Sequence, residues 1–337
     1  MKLSEFDYHL PEELIAQRPV EPRDASRMMA VEISTERIKH DLFINFPDYL
    51  KPSDIVVVNN TKVIPARLYG IRKRTGAKVE ILLLRKLSED TWEVMARPAR
   101  RFKKGEIYIF EGEIEGKVLE IGEEGKRVME FPKDLLKKVF RVGKVPLPPY
   151  IKRPADEKDV SRYQTIFAKE EGSIAAPTAG LHFTERVLKR VREKAEILEI
   201  TLHVGEATFK PLKDEEIERN KLPEEIYYIS REAAEKLRKA LEGNRRIIAI
   251  GTTTVRALES AAAIDFSPGY HSTSLFIYPG YRFRAVRALL TNFHLPRSSL
   301  LLLVSAFAGR DLILRAYNTA VQERYRFYSY GDCMFIY

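Results

Sequence analysis

Short alternating runs of apolar and polar residues fill the chain from Lys78 to Phe131, and they constrain the fold more than any other feature. The runs read KVEILLL, TWEVMA, EIYIF, GKVLEI and RVMEF, and turns with Gly or charged residues separate them. Side chains alternate between the two faces of a strand, so this rhythm is typical of an antiparallel barrel or sandwich. We therefore predict an inserted β domain over residues 64–149, closed by the proline-rich segment VPLPPYI at Val145–Ile151.

Strand-like and helix-like segments alternate in the rest of the chain. Asp54–Val58 is a short β-branched run that predicts a buried strand, and Arg246–Ile250 predicts another strand that leads into GTTTVRALES. Arg231–Leu241 has the spacing of an amphipathic helix. The chain of 337 residues is long enough for two domains, at about 150 residues for each. Residues 1–63 and 150–337 are predicted to form a discontinuous α/β domain around the insert.

The chain is basic, because 57 Lys and Arg residues against 48 Asp and Glu give a net charge of +9 and a pI near 9.3. This charge favours an anionic partner, with nucleic acid as the first candidate; a basic enzyme without such a partner, or a heat-adapted surface, is the alternative. The single cysteine, Cys333, excludes an internal disulfide and a Cys-rich zinc site. The N-terminal residues lack the pattern of a signal peptide, and the longest apolar run, Leu300–Ala308, is too short for a membrane span. We expect a soluble cytoplasmic protein.

The stretch GSIAAPTAGLHFT, Gly172–Thr184, carries no charged side chain in a chain that is 31% charged. Its glycines and proline favour neither a helix nor a strand, and its small side chains let another molecule approach the backbone. Glu185–Lys194 follows with amphipathic spacing, so Thr184 is predicted to cap a helix whose positive N-terminal end faces the loop. This pattern is typical of a ligand-binding loop, and a tight buried crossover without a ligand is the alternative.

The segment GTTTVR, Gly251–Arg256, lies where a strand should turn into a helix, and its hydroxyl and free N–H groups suit a carboxylate or a phosphate. It lacks the Lys-Ser/Thr element of a P-loop, and no GxGxxG follows a predicted strand. Arg256 in the first turn opposes the helix dipole, which indicates that its side chain faces an anion or a carboxylate. A capping turn with an incidental arginine is the alternative.

Three of the six histidines lie in predicted turns: His182 in GLHFT, His203 in LHVGEATF and His294 in NFHLP. Histidine titrates near neutral pH, so one beside a glycine-rich loop can move a proton on a bound substrate, whereas each taken alone is more simply structural. No HExxH or close His/Asp pair is present, and we expect no metal. No GxSxG marks a serine nucleophile, and Cys333 has no evident partner base.

Two basic segments are candidate RNA contacts. The loop PVEPRDASR, Pro19–Arg27, is dense in proline and charge, and its arginines suit a phosphate; a solvated, salt-bridged turn is the alternative. The segment YRFYSYGD, Tyr325–Asp332, interleaves arginines with aromatic rings that can stack on bases, and alternation in a terminal strand gives the same letters.

A series of blocks along the chain carries a family resemblance. The blocks are FDYHLPEELIAQRPVEPRDASR, VVVNNTKVIPARL, LPPYI, RYQTIFA with GSIAAPTAGLHFT, HVGEATFKP, GTTTVRALES, FIYPGYRF, LLTNFHLPRSSLLLLVSAFAG and YRFYSYGD. In this order they resemble the S-adenosylmethionine:tRNA ribosyltransferase-isomerase family of queuosine biosynthesis. The resemblance covers nearly the whole chain and is weakest over Leu68–Arg141.

The resemblance implies a larger, discontinuous α/β barrel-like domain with a small antiparallel β-barrel inserted in it. It also implies transfer and isomerisation of the ribosyl moiety of S-adenosylmethionine onto 7-aminomethyl-7-deazaguanine at the tRNA wobble position, which gives epoxyqueuosine-tRNA, adenine and methionine. S-adenosylmethionine is then the cosubstrate and tRNA the partner, with no metal and no membrane contact. We expect a monomer in the cytoplasm.

On this resemblance the cosubstrate is expected along Gly172–Thr184, with His182 and His203 as acid/base candidates and His294 as a further one. Arg256, or the turn with Thr252 and Thr253, is expected to hold the methionine carboxylate. Further candidates for cosubstrate binding are Gly172, Ala176, Pro177, Thr178, Gly180 and Thr184. Candidates for tRNA phosphate are Arg23, Arg27, Lys62, Arg67, Arg324 and Arg326.

Two positions depart from the family pattern. Members commonly carry a His-rich segment where this chain has Glu218–Tyr228, and many have a second histidine where Leu202 stands. These differences narrow the candidate bases towards His182 and His203. A non-catalytic RNA-binding module and another S-adenosylmethionine-dependent enzyme, such as a methyltransferase, are the competing interpretations. The missing glycine-rich fingerprint counts against the fold of most methyltransferases.

Overall fold

The computed structural model describes residues 2–205 and 221–337. The strands are β1 (Arg27–Glu32), β2 (Arg37–Leu42), β3 (Ile55–Asn59), β4 (Thr61–Val63), β5 (Arg67–Arg72), β6 (Lys78–Lys86), β7 (Thr91–Arg97), β8 (Ile107–Phe110), β9 (Ile114–Ile121), β10 (Lys126–Glu130), β11 (Glu170–Ser173), β12 (Glu196–Leu202), β13 (Lys221–Ile229), β14 (Ile247–Ile250), β15 (Gly269–Leu275), β16 (Val286–Asn292) and β17 (Cys333–Ile336). The α-helices are α1 (Leu135–Val142), α2 (Glu157–Arg162), α3 (Glu185–Lys194), α4 (Arg231–Glu242), α5 (Thr252–Ala262), α6 (Ser299–Ala308) and α7 (Arg310–Gln322). Short 3₁₀ helices lie at Leu3–Phe6, Glu12–Leu14, Arg23–Ala25, Phe43–Tyr49, Ala99–Arg101, Glu111–Glu113, Glu123–Gly125 and Thr178–His182.

A nine-stranded mixed sheet runs through the larger part of the molecule, in the order β15-β13-β12-β3-β14-β16-β17-β1-β2. Strands β12, β3, β14 and β16 are parallel to one another. Strand β17 is antiparallel to β16 and parallel to β1, so it lies inside the sheet. Parallel strands are covered on both faces, which explains why IVVVN in β3 and IIAI in β14 are buried without alternation.

Two hydrophobic cores cover the two faces of this sheet. Alternate residues of β3 point to opposite faces. Ile55 and Val57 join a core with helices α4 to α7, whereas Val56 and Val58 join a core with α3 and the 3₁₀ helix Phe43–Tyr49. No helix in residues 2–205 or 221–337 combines the length and the apolar character that a bilayer span requires.

The carboxyl ends of the four parallel strands meet at one end of the sheet, which we call the carboxyl edge. Asn60 follows β3, His203 follows β12, Gly251 follows β14 and Phe293 follows β16. Ligands of open α/β sheets bind outside this edge, because the loops there are free to vary around a rigid frame. The fold therefore gathers several of the predicted functional segments at the carboxyl edge.

The inserted strands form a closed antiparallel barrel in the order β10-β7-β6-β5-β8-β9. Buried positions alternate along each strand, as in β7, where Trp92, Val94 and Ala96 are buried. Helix α1 packs Leu135 and Val139 against the same core. The predicted mixed α/β class with an inserted antiparallel barrel is confirmed, and the larger sheet has an open strand order with β15 and β2 at its edges. The domain boundaries, with the insert over residues 64–149, stay a prediction.

Candidate active site

A cleft at the carboxyl edge encloses about 720 Å³ between protein atoms, part of it open to solvent. Its wall comes from distant parts of the chain: the loop before α3, the first turn of α5, the turn after β16 and the segment before β17. The lining residues are Tyr150, Val204 and residues 176–179, 251–253, 291–295, 298–300 and 328–329. The cleft thus combines residues from six of the sequence blocks that carry the family resemblance.

The first turn of α5 lines the cleft through Gly251, Thr252 and Thr253. The first N–H groups of a helix have no partner within the helix and carry the positive end of its dipole. Gly251 adopts φ 95° and ψ 152°, angles that other residues reach only with strain. The predicted strand-to-helix turn is confirmed, and its geometry suits a carboxylate.

Three buried polar atoms of the cleft lining have no hydrogen-bond partner within the described part of the chain. They are Thr253 Oγ1, Asn292 Oδ1 and the hydroxyl of Tyr328. A buried polar atom without a partner costs about 1–3 kcal/mol, and folded proteins retain few of them. Their convergence on one cleft indicates a polar ligand whose groups replace the missing partners.

Two tyrosines form an aromatic wall of the cleft. The rings of Tyr150 and Tyr328 stack with centroids 4.3 Å apart and an interplanar angle of 22°. The Tyr150 hydroxyl forms a hydrogen bond with the hydroxyl of Ser329, which also lines the cleft. Stacked rings with polar tips present an apolar face to a flat ligand group such as a nucleobase.

His294 is the predicted acid/base candidate that lines the cleft. A 2.8 Å hydrogen bond joins its Nε2 to the hydroxyl of Thr291, and its backbone N–H donates to the hydroxyl of Tyr317 at 3.1 Å. Burial lowers the pKa of His294 to about 3. The ring is therefore neutral near pH 7 and, in the free protein, is a weak base.

His182 does not line this cleft and lies behind Asn292. Its Nε2 accepts a hydrogen bond from Asn292 Nδ2 at 3.2 Å, and its Nδ1 therefore donates to Ser26 Oγ at 2.7 Å. Burial, together with the positive charges of Arg326 and Arg23, lowers the pKa of His182 to about 3. This ring orients the Asn292 amide and leaves Oδ1 unpaired in the cleft lining. Direct proton transfer by His182 stays a prediction.

His203 also lies outside the cleft lining. Its Nδ1 is 2.8 Å from the hydroxyl of Thr61, and burial lowers the pKa of the ring. Gly172, with φ 147°, packs so closely that a Cβ at this position would lie 3.0 Å from the His203 ring. His203 and Gly172 therefore support each other next to the cleft, where Val204 is a lining residue.

Arg256 pairs with a carboxylate, as predicted, but the carboxylate is protein-borne. Its Nη1 lies 2.5 Å from Glu225, and its Nε donates to the backbone oxygen of Leu275 at 3.1 Å. The two charged side chains are only 7% and 6% exposed. Arg256 is not among the lining residues of the cleft, and its Nη2 is buried without a hydrogen-bond partner in the described part of the chain. Its contact with the methionine carboxylate stays a prediction.

The predicted binding loop divides into lining and supporting residues. Ala176, Pro177 and Thr178 line the cleft. Gly180 packs outside the lining, where a Cβ would lie 2.9 Å from the Thr165 side chain. Thr184 caps α3, since its hydroxyl accepts from the N–H of Val187.

The same Thr184 hydroxyl donates to the buried carboxylate of Asp24 at 2.5 Å. A hydroxyl with both a donor and an acceptor partner has little capacity left for a ligand. The N-cap prediction for Thr184 is confirmed. The predicted contacts of Thr184, Gly172 and Gly180 with the cosubstrate stay predictions, and none of the three residues is in the cleft lining.

Predicted phosphate contacts in the first basic loop are engaged inside the protein. Arg23 donates to the backbone oxygens of Gln164 and Ser161, each at 2.6 Å. The Arg27 guanidinium lies 3.7 Å from the ring centroid of Tyr325. These interactions within the protein already fix the orientation of both guanidinium groups.

The other four predicted phosphate contacts differ in their surroundings. Lys62 forms an ion pair with Glu171 at 2.9 Å, and Arg67 pairs with a glutamate of β6. Arg326 donates to two backbone carbonyl oxygens. Arg324 is exposed and has no side-chain hydrogen bond or ion pair within residues 2–205 and 221–337. Their contact with RNA stays a prediction.

Sequence reasoning does not single out Tyr150, Thr291, Asn292 or Tyr328, although all four line the cleft. Each belongs to a block that carries the family resemblance. The sequence therefore marked the segments that contain these residues, but it gave no reason to assign a binding role to the residues themselves. Among the described residues, no group of three or more His, Cys, Asp and Glu side chains is arranged to hold a metal ion.

Comparison with known proteins identifies the family. A family model described as queuosine biosynthesis protein matches residues 3–336. The S-adenosylmethionine:tRNA ribosyltransferase-isomerase of Thermotoga petrophila is 51% identical over 338 residues, and that of a Sulfurihydrogenibium species is 50% identical over 337 residues, each covering 100% of both chains. The crystal structure of S-adenosylmethionine tRNA ribosyltransferase from Thermotoga maritima is 41% identical in sequence, with a TM-score of 0.57, over 99% of this chain and 100% of that chain. Because these matches run from one end to the other, the chain belongs to the queuosine biosynthesis protein family.

Proposed function

We propose that the protein is an S-adenosylmethionine:tRNA ribosyltransferase-isomerase. The observation that carries the proposal is the cleft at the carboxyl edge, where a helix N-terminus, three unpaired polar atoms and an aromatic wall converge in a chain of this family. Such a cleft suits a cosubstrate that carries both a carboxylate and a nucleobase. A module that only binds RNA has no need of it.

The proposed reaction joins two substrates. S-adenosylmethionine donates its ribosyl group to 7-aminomethyl-7-deazaguanine at the wobble position of a tRNA. A base removes a proton next to the sulfonium, adenine leaves, the aminomethyl nitrogen attacks, and closure of an epoxide expels methionine. The products are epoxyqueuosine-tRNA, adenine and methionine.

The methionine carboxylate of the cosubstrate is proposed to lie at the first turn of α5. The N–H groups of this turn and the Thr252 and Thr253 side chains supply donors there, and Thr253 Oγ1 is one of the unpaired atoms. Asn292 Oδ1 then accepts from an N–H group of the cosubstrate, and the tyrosine wall packs against a nucleobase. Ala176 and Thr178 close the opposite side of the cleft.

His294 is the proposed proton carrier, because it is the acid/base candidate in the cleft lining. Its pKa near 3 applies to the buried ring without substrate. Proton transfer by this ring then requires that the bound substrates bring a negative charge beside it, because such a charge raises the pKa of an imidazole. His182 acts in this proposal through the Asn292 amide that it orients.

The test is a product assay with purified protein, S-adenosylmethionine and tRNA that carries the aminomethyl-deazaguanine. We expect free adenine and a mass gain of the ribosyl-derived group on the nucleoside. His294→Gln is expected to abolish turnover while S-adenosylmethionine still binds, and His182→Ala to lower both turnover and cosubstrate affinity. His271→Gln is the matched control, since its ring bonds to the Ser267 backbone outside the cleft.

Each other outcome points to a different function. A methyl-sized mass gain without adenine would establish methyl transfer instead. Neither product, with tRNA still bound, would support the RNA-binding module. Normal turnover in His294→Gln would remove His294 from the reaction and leave the product assignment intact.

We also propose that the enzyme acts as a monomer in the cytoplasm, where its tRNA substrate is found. Light scattering after size exclusion checks the first point, with an expected mass near 38.9 kDa. Twice that mass at micromolar concentration would contradict it.

A further inference from the structure

A second, larger groove lies between the barrel and the proline-rich segment that follows it. It encloses about 1580 Å³ between protein atoms, including space open to solvent. Barrel residues such as Arg67, Tyr69 and Arg97 form one wall, and the proline-rich segment 144–155 forms the other. Ile174 also belongs to the lining. The prolines of this segment restrict its backbone, so the groove exists before any partner binds.

The lining of this groove is cationic. It includes five Lys and Arg side chains, and none of its lining residues is acidic. Three of the five have carboxylate partners outside the lining: Arg67 with Glu80, Lys152 with Glu12, and Arg153 with Asp159. The other two, Arg97 and Lys144, carry their charge without such a partner.

Arg97 and Lys144 are exposed and have no side-chain hydrogen bond or ion pair within the described ranges. Lys144 is held beside Arg67, because the two residues exchange backbone hydrogen bonds at 2.9 and 3.2 Å. Arg97 faces Glu80 across the β6–β7 pair, and the Arg67 guanidinium occupies that carboxylate. A set of cations on two barrel strands and the adjoining proline-rich segment, with two charges unpaired, attracts a polyanion.

An aromatic ring accompanies these cations. Tyr69 is 43% exposed and lies two residues after Arg67 on β5, so both side chains project from the same face of the strand. Cations that meet phosphates, alternating with an aromatic ring that can stack on a base, are typical of a surface for single-stranded RNA. This combination favours RNA over an acidic protein segment.

The groove and the active-site cleft share one wall. Ile174 lines the groove, and Ala176, two residues later, lines the cleft. Pro149 and Ile151 line the groove, whereas Tyr150 between them lines the cleft and stacks on Tyr328. A strand that follows the groove therefore arrives at the aromatic wall of the cleft.

We propose that this groove binds the phosphate backbone of the tRNA segment next to the target nucleotide, with Arg97 and Lys144 as phosphate contacts and Tyr69 as a stacking platform. This proposal rests on the proposed function, in which a tRNA is one of the two substrates. It differs from the contacts expected from the sequence, of which Arg67 alone lines this groove. The barrel thereby delivers the substrate to a cosubstrate held by the main sheet.

The test compares two double variants that remove the same charge. Arg97→Ala/Lys144→Ala removes the unpaired cations of the groove, and Lys103→Ala/Lys104→Ala removes two exposed cations of a barrel loop outside its lining. Binding of the unmodified tRNA is measured by fluorescence anisotropy at several salt concentrations. Two lost phosphate contacts should weaken binding about tenfold and reduce the slope of log affinity against log salt by about 1.4–1.8.

Kinetics separate this proposal from the proposed function. If the wild-type protein releases adenine, the groove variant should raise KM for tRNA about tenfold while kcat and S-adenosylmethionine affinity stay unchanged. An unchanged KM and salt slope, or an equal loss of tRNA affinity in the loop variant, would overturn the proposal for the groove. The proposed enzyme activity would not be affected by that result. If the wild-type protein releases no adenine and tRNA binding is weakened in the groove variant alone, the proposed ribosyltransferase activity is overturned. The proposal that the groove binds tRNA is then supported.

Discussion

Gly251 and Gly309 adopt nearly the same backbone conformation, each as the residue that precedes a helix. Gly251 has φ 95° and ψ 152°, and Gly309 has φ 89° and ψ 139°. Only Gly251 lines the active-site cleft. Alanine at either position therefore introduces the same backbone strain, whereas alanine at Gly251 alone adds a methyl group where the cosubstrate carboxylate is proposed to lie.

The cost of each substitution follows from this geometry. A Cβ at Gly251 would have its nearest neighbours at 3.7 and 3.8 Å, which is ordinary contact, and a Cβ at Gly309 would have none within 4 Å. Steric overlap thus contributes little, and the cost is about 1–3 kcal/mol of backbone strain. Reduced freedom of the unfolded chain offsets about 0.4–1 kcal/mol. We expect a net loss of about 1–2 kcal/mol in both variants.

The assay measures stability and cosubstrate binding in parallel. Urea denaturation should give similar losses for Gly251→Ala and Gly309→Ala. Calorimetric titration with S-adenosylmethionine should show about tenfold weaker binding, or about 1.4 kcal/mol, for Gly251→Ala only. Equal affinities in the two variants would refute the placement of the carboxylate at α5, and an unchanged stability of both would refute the strain argument.

Three further predictions concern buried charged or titratable groups. Glu225→Leu leaves Arg256 as an uncompensated buried charge and should cost about 3–5 kcal/mol of unfolding free energy in urea, most of it recovered in Glu225→Leu/Arg256→Met. His182 and His294 have pKa values of about 3 in the folded protein and about 6.5 when unfolded. Between these values the unfolded state binds more protons, so stability should fall as pH drops below 6.5, by up to about 1.4 kcal/mol per pH unit for each ring. Burial raises the pKa of the Cys333 thiol, which should react with a thiol reagent only after denaturation.

Specific results would contradict these expectations. A double variant no more stable than Glu225→Leu would show that the lost carboxylate does more than neutralise Arg256. A slope of stability against pH from 5 to 6.5 that His294→Gln leaves unchanged would exclude titration of that ring. Rapid labelling of Cys333 in the native protein would show that β17 opens under native conditions.

Local sequence patterns predicted the strands, helix cap and turn that depend mainly on interactions between neighbouring residues. Buried β-branched runs, alternation in the barrel and the cap at Thr184 depend on residues within a few positions of one another. The turn at Gly251 is of the same kind, since its glycine and threonines specify a strand that ends in a helix. These predictions are confirmed by the structure.

The arrangement of the histidines could not be predicted, because it depends on long-range pairing. His294 reaches the cleft because β16 ends at the carboxyl edge, and His182 turns towards Asn292 at the end of that same strand. No property of the two local sequences tells a lining ring from a supporting one. The segment Glu218–Tyr228, where this chain departs from the His-rich pattern of the family, begins outside the described residues.

Charge patterns were informative about the class of partner and less so about the contact residues. Net charge is a property of the whole chain, whereas a phosphate contact depends on which cations remain unpaired after folding. Arg23 and Arg27 are held by interactions that the sequence does not reveal. Arg97 and Lys144 stay unpaired and were not singled out.

The position of β17 has a consequence for biosynthesis. Met28 of β1 pairs with Cys333 of β17, so the β1–β2 pair has no connection to the rest of the sheet until a nascent chain has extended through β17. During translation the hairpin of β1 and β2 therefore leaves the ribosome with an open edge, which is a template for association with other chains. Pairing of β1 with β17 joins two segments from nearly opposite ends of the chain, and contacts so distant in sequence slow assembly of the sheet. The barrel, whose strands are contiguous in sequence, has no such delay and is able to form first.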